Sequence, residues 1–285
     1  MPILAYHAIV AQQAELAQVP PGARLYVFTI EELCRHLDHL ATEGFTTIAL
    51  GGLVRWHQGA AELPERAIVV SFDDGHRSNA ELALPALQAR GQKAIFFITA
   101  GRVESEDSVT WAHLRAMLGA GMEIGSHTLT HPCPSSLSRD ALRHELAESK
   151  RLLEEGTGAP VEFVASPTGY DSRHFAALAR EAGYRAALQG VIGRNRRSTG
   201  LFALRRFVLK RSFTFEAFRR LVDPSKRAYV ALRARQMARN VVRRVIGVRG
   251  YESIRRLLLG AGKSATAGSP SRGHGRTSPP WHNEE

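Results

Sequence analysis

Short apolar runs alternate with longer amphipathic stretches through the first two-thirds of the chain. The runs Ile3–Tyr6, Thr46–Leu50, Ala67–Phe72, Ala94–Thr99, Met122–Gly125, Glu162–Ala165 and Tyr184–Leu188 have the length and β-branched or aromatic content of strands. Between them, Glu31–Glu43, Asn79–Arg90, Trp111–Ala120, Arg139–Glu155 and Ser172–Ala182 repeat apolar residues with helical spacing. Gly44, Gly91, Gly121, Gly156 and Gly183 stand where each helix should stop. Strand–helix alternation requires parallel pairing through crossovers, so the pattern predicts an α/β sheet or a barrel.

Charge divides the chain. Residues 1–224 hold 25 of the 38 Lys and Arg and 24 of the 27 Asp and Glu, leaving 13 basic and 3 acidic residues in 225–285. The net charge of +11 therefore describes a tail rather than a basic catalytic domain. Within 225–259, Val230, Met237, Val241, Val245 and Val248 share one helical face among arginines. That spacing suits an anionic membrane surface or a helix laid over the barrel better than nucleic acid. Residues 261–285, rich in Gly, Ser and Pro, are expected to be disordered. The expected organisation is a catalytic unit over 1–223, a basic helical extension over 224–260 and that tail.

Two cysteines, Cys34 and Cys133, supply neither a disulfide framework nor a zinc-finger spacing. The opening MPILAYHAIV lacks the features of a signal peptide, and no apolar run approaches the roughly 20 residues of a membrane span. The expected location is cytoplasmic, with peripheral attachment to the inner face of the membrane as an option.

Two motifs carry chemistry. Ser71-Phe72-Asp73-Asp74-Gly75 closes the run AIVV, and adjacent carboxylates where a buried strand meets a turn repel unless a cation relieves them. Gly125-Ser126-His127-Thr128-Leu129-Thr130-His131-Pro132 follows another strand, and its histidines can converge on one metal if the segment turns tightly. Each motif alone could be an ordinary surface turn. Both follow strands, however, which places them on one carboxyl-end rim of a parallel sheet, where sites form. Cys133 could approach a metal held by His131, although an oxygen and nitrogen site does not call for a thiolate. His76 and His174 could line the cleft, and Trp111 reads as helix-start packing.

SFDDG, then SHTLTH, then Ser166-Pro167-Thr168-Gly169 is similar to the motif series of the polysaccharide deacetylases with a NodB-homology domain, over roughly residues 1–220. The resemblance implies a distorted (β/α) barrel, short of eight repeats. It implies Asp73 as general base, and Asp74, His127 and His131 as ligands of a divalent metal, zinc first, with cobalt, nickel or iron also suited. Pro167, Thr168 and Gly169 would bind substrate or stabilise the oxyanion. No late LxH motif supplies the general acid; Leu4-Ala5-Tyr6-His7-Ala8-Ile9 resembles the start of a rearranged subgroup, which makes His7 the acid. Ala165 stands where many members have an arginine beside the catalytic aspartate, so Arg205 or Arg206 is the candidate to orient Asp73. The implied activity is removal of acetyl groups from an N-acetylhexosamine in a glycan or a lipid-linked sugar. Deformylation of a lipid-linked amino sugar and an inactive glycan-binding barrel are the alternatives.

Overall fold

The computed structural model describes residues 1–168, 173–223 and 229–238. Gly169, most of the basic extension and the 261–285 tail lie outside them. Ten strands appear: β1 (Ile3–Tyr6), β2 (Ile9–Val10), β3 (Phe28–Thr29), β4 (Thr46–Thr47), β5 (Ala67–Phe72), β6 (Ile95–Ile98), β7 (Glu123–Ser126), β8 (Phe163–Ala165), β9 (Ala186–Leu188) and β10 (Phe207–Val208). Seven α-helices accompany them, ahead of a further helical stretch over 229–238: α1 (Ile30–Thr42), α2 (Leu50–His57), α3 (Leu84–Gln88), α4 (Trp111–Gly119), α5 (Arg139–Thr157), α6 (Phe175–Glu181) and α7 (Phe215–Val222).

All pairings between these strands are parallel, in the order β10-β1-β5-β6-β7-β8-β9, with β4 added beside β5 and a separate β2-β3 pair. A parallel bridge from Leu188 to Leu204, just before β10, links the two ends of the order and curls the sheet into a distorted barrel. The expected fold class stands.

Alternation along the strands sorts side chains into two cores. Ile3, Val69, Ile95, Phe97, Phe163, Ala165, Ala186, Leu188 and Leu204 form one cluster, the barrel interior. Leu4, Tyr6, Val70, Phe72, Phe96, Val164 and Ala187 belong to the other, beneath the helices. This parity decides the site, because one further step along β1, β5 and β7 brings His7, Asp73 and His127 to the inner side of the rim.

Local rules explain most element ends. Thr29 opens α1 with a reciprocal box: its hydroxyl accepts from the Glu32 N–H at 3.2 Å, and the Glu32 carboxylate accepts from the Thr29 N–H at 2.8 Å. The expected stop of α5 at Gly156 is wrong. The helix runs on to Thr157 and is capped by left-handed Gly158, while Gly156 lies under Trp111, whose ring would be 2.2 Å from an added β-carbon. Gly156 thus serves close approach rather than chain reversal.

The final described helix, 229–238, docks on the barrel through Tyr229 and Leu232 and through Gln236, whose side chain bonds the Gly190 carbonyl and the Ile192 N–H. Val230 and Met237, on the apolar face read from the sequence, are exposed at 49% and 59%. Val241, Val245 and Val248 of the same face lie outside the described residues.

One buried histidine makes stability depend on pH. His36 of α1 stacks on Phe218 at 3.9 Å between centroids and bonds the Tyr6 hydroxyl at 3.1 Å. Burial, with Arg35 and His39 nearby, pushes its pKa down to about 4. Below about pH 6.5 the unfolded chain takes up a proton that the folded chain refuses, so stability falls as pH drops toward 4. Urea unfolding at pH 7.5 and pH 5 should differ by about 2 kcal/mol from this group, and His36→Gln should lose that part of the difference.

Candidate metal centre

Asp74, His127 and His131 bring one ligand atom each within 4.8 Å of one another, and among the described residues they are the one such group of His, Cys, Asp or Glu. His127 Nε2 lies 3.5 Å and His131 Nε2 3.3 Å from Asp74 Oδ1. Asp74 Oδ1 is nevertheless a buried atom with no hydrogen-bond partner among the described residues. A carboxylate oxygen and two ring nitrogens that face each other without bonding fit a shared cation.

The backbone is held in place for this. Four of the five non-glycine residues with positive φ among those described are at the site: Asp74 (75°), Thr128 (66°), His131 (61°) and Thr168 (58°). Such conformations are costly and persist where surroundings enforce them. Around His131 the enforcing group is Glu145 of α5, which sequence reasoning missed. Its carboxylate accepts from the Leu129 and Thr130 N–H groups at 2.9 Å each and from the Thr130 hydroxyl at 2.6 Å. A signal was present, since Glu145 and Ser149 interrupt the buried stripe Leu142, Leu146, Leu153. Ser149 meets Ser126, whose hydroxyl also accepts from the Thr128 N–H. Glu145→Gln should weaken metal binding or turnover by about 10- to 100-fold with the fold retained, as loss of a supporting group does at metal sites. Equal metal affinity and rate in the variant would remove Glu145 from the site's support.

The ring of His127 is oriented by the Ala165 carbonyl, which accepts from Nδ1–H at 2.9 Å and leaves the Nε2 lone pair toward Asp74. Burial drives the His127 pKa down to about 4, ahead of the opposing pull of Asp73 and Asp74. The ring is thus neutral at pH 7, as a metal ligand must be. For Asp74, burial pushes upward, but His131, His7, His127 and Arg102 together outweigh it and hold the carboxyl at about 2.

Asp73 is buried behind this group. One guanidinium nitrogen of Arg206 donates to both its oxygens at 2.8 and 2.6 Å, and another donates to the Ser166 carbonyl at 3.2 Å. Arg206 shares the inward parity of Leu204, whereas Arg205 turns to a different cavity and is corrected as a candidate partner of Asp73. His7 stands beside Asp73, because β1 and β5 pair Tyr6 with Phe72. Its carbonyl accepts from the Asn79 side chain at 2.7 Å, its ring lies on Tyr26 at 4.9 Å, and its buried Nδ1 has no hydrogen-bond partner among the described residues.

Pro167 and Thr168 follow β8 on the same rim, and Gly169 lies outside the described residues. Cys133 is turned to the Ser135 hydroxyl, outside the ligand group. His76 bonds Ser78, and His174 meets Arg173 at the start of α6.

The polysaccharide deacetylase family model matches residues 60–187, which carry both the Asp-Asp and the two-histidine motifs. The stretch from 60 to 187 is thus similar to a polysaccharide deacetylase domain. The chain is similar to YxkH of Bacillus subtilis, at 24% identity over 226 residues, covering 79% of this chain and 77% of that protein. It is 30% identical over 140 residues to a peptidoglycan-N-acetylglucosamine deacetylase of Bacillus cereus, covering 48% of this chain and 61% of that enzyme. Its fold is similar to that of the Streptococcus pyogenes deacetylase PplD solved with acetate. The TM-score there is 0.71 at 22% identity, covering 79% of this chain and 98% of that one.

Proposed function

We propose that this chain is a metal-dependent deacetylase that hydrolyses the acetamide of an N-acetylhexosamine in a glycan or glycolipid, releasing acetate. The observation that carries the reading is the convergence of Asp74, His127 and His131 beside the Asp73–Arg206 pair. The curated relative that acts on peptidoglycan N-acetylglucosamine supports the choice of sugar.

Asp74 Oδ1 and the two Nε2 atoms would hold the ion, and zinc fits one carboxylate and two imidazoles with positions left for other ligands. When bound, it supplies Lewis-acid polarisation of a carbonyl and lowers the pKa of a bound water. The protein's own groups divide the proton work. Asp73, held in place by Arg206, takes a proton from the attacking water as its oxygen reaches the acetyl carbon. The N–H of Thr168 donates to the oxygen that gains charge. His7 then gives a proton to the sugar nitrogen as the carbon–nitrogen bond breaks, leaving acetate and a free amine.

The test is acetate release from chitooligosaccharides and from lipid-linked N-acetylglucosamine by the zinc-loaded chain. Acetate from either supports the reading; formate from a formylated sugar with no acetate from these substrates would replace it.

A further inference from the structure

The connection from β9 to β10 and the 229–238 helix enclose a cavity of about 360 Å³. Arg194, Arg196, Arg205 and Arg233 line it with Ser198 and Thr199, and no carboxylate does. It lies away from the catalytic rim. The Asn195 N–H donates to the Met1 carbonyl ahead of β1, and the Asn195 side chain brackets Arg205 through both its N–H and its carbonyl. Asp73, by contrast, follows the carboxyl end of β5. Neighbouring residues of one extended segment thus serve opposite places, Arg206 the rim and Arg205 this cavity.

Arg194 is fixed in position, since one of its nitrogens donates to the carbonyls of Leu221, Val222 and Asp223 at the end of α7. Its Nε remains buried without a hydrogen-bond partner among the described residues. Arg196, Arg205 and Arg233 enter no ion pair with a described carboxylate, although Arg139, Arg151, Arg185, Arg197, Arg211 and Arg219 all do. Four guanidinium groups around one cavity repel each other, and an anion in their midst reverses that cost. Guanidinium forks match the oxygens of a phosphate, the Ser198 and Thr199 hydroxyls add donors, and the volume falls in the range of small-ligand sites.

We propose that this cavity is a second binding site, separate from the catalytic rim, that takes the phosphate or pyrophosphate group of a ligand. Isothermal titration of the full-length chain with inorganic pyrophosphate at fixed ionic strength tests it. Wild type should bind saturably, and Arg196→Gln/Arg205→Gln should bind at least about tenfold more weakly with an unchanged circular dichroism spectrum. Should that pair fail to fold, Arg233→Gln on the partly exposed helix carries the same expectation. Binding that is absent in wild type, or equal in the folded variants, overturns the site, the second result because it places pyrophosphate elsewhere, as at the rim. Sedimentation with phosphatidylglycerol vesicles that pyrophosphate and the variants both abolish assigns a lipid headgroup as the source. Variant-sensitive pyrophosphate binding without such sedimentation assigns a soluble one.

Discussion

Asp73→Asn is expected to lower kcat by about 10²- to 10⁴-fold while the chain still binds one metal ion, because the proposed general base is removed and the proposed ligand set is not. The separation rests on geometry. Asp74 Oδ1 faces both histidine Nε2 atoms at 3.3 and 3.5 Å, whereas Asp73 stands farther back, 3.9 Å from His127 Nε2 and tied to Arg206. Metal content by atomic absorption, measured beside acetate release, checks it. Loss of metal together with activity would move Asp73 into the ligand set. His7→Ala should behave as Asp73→Asn does, and a near wild-type rate in either variant would remove that residue from the mechanism.

Arg206→Leu is expected to destabilise the fold by about 3–5 kcal/mol and to remove activity, because it strips the partner from a buried carboxylate. Both side chains are only 2–3% exposed, so water cannot replace the lost donor. Asp73 would then lose the two hydrogen bonds that hold its carboxylate in place. Adding Asp73→Asn to Arg206→Leu should return most of the stability and none of the rate. Urea unfolding of the two single variants and the double variant reads that coupling. Additive costs would mean that the pair contributes through packing rather than charge.

These two residues show where the sequence was readable. Asp73 and Asp74 stood out because adjacent acids at a strand end are costly, and the histidine pair because its turn follows another strand. Arg206 was legible only as a need for positive charge near Asp73. Choosing it over Arg205 required knowing that Phe207 and Val208 pair with β1 in one register, and a two-residue strand carries too little periodicity to reveal that. Helix α2 was hidden by Gly51 and Gly52, which break the apolar pattern; the N–H groups of Leu50 and Gly51 are held by the Glu123 carboxylate, a partner distant in sequence. Glu145 was overlooked for a related reason. A lone acid on a long, highly charged helix reads as solvated until its burial against the 129–130 backbone is seen. The strands and the candidate metal ligands were thus encoded locally, and the groups that hold them were encoded by tertiary pairing.

Hydrolysis is expected to depend on one ion held by Asp74, His127 and His131. Acetate release by chelator-treated protein titrated with zinc, for the wild type and for His131→Ala, checks this. The wild-type rate should rise from near zero to a plateau at one ion per chain, while His131→Ala should bind zinc far more weakly and stay inactive at that ratio. Full activity after chelation, or a His131→Ala titration that overlays the wild type, would contradict it.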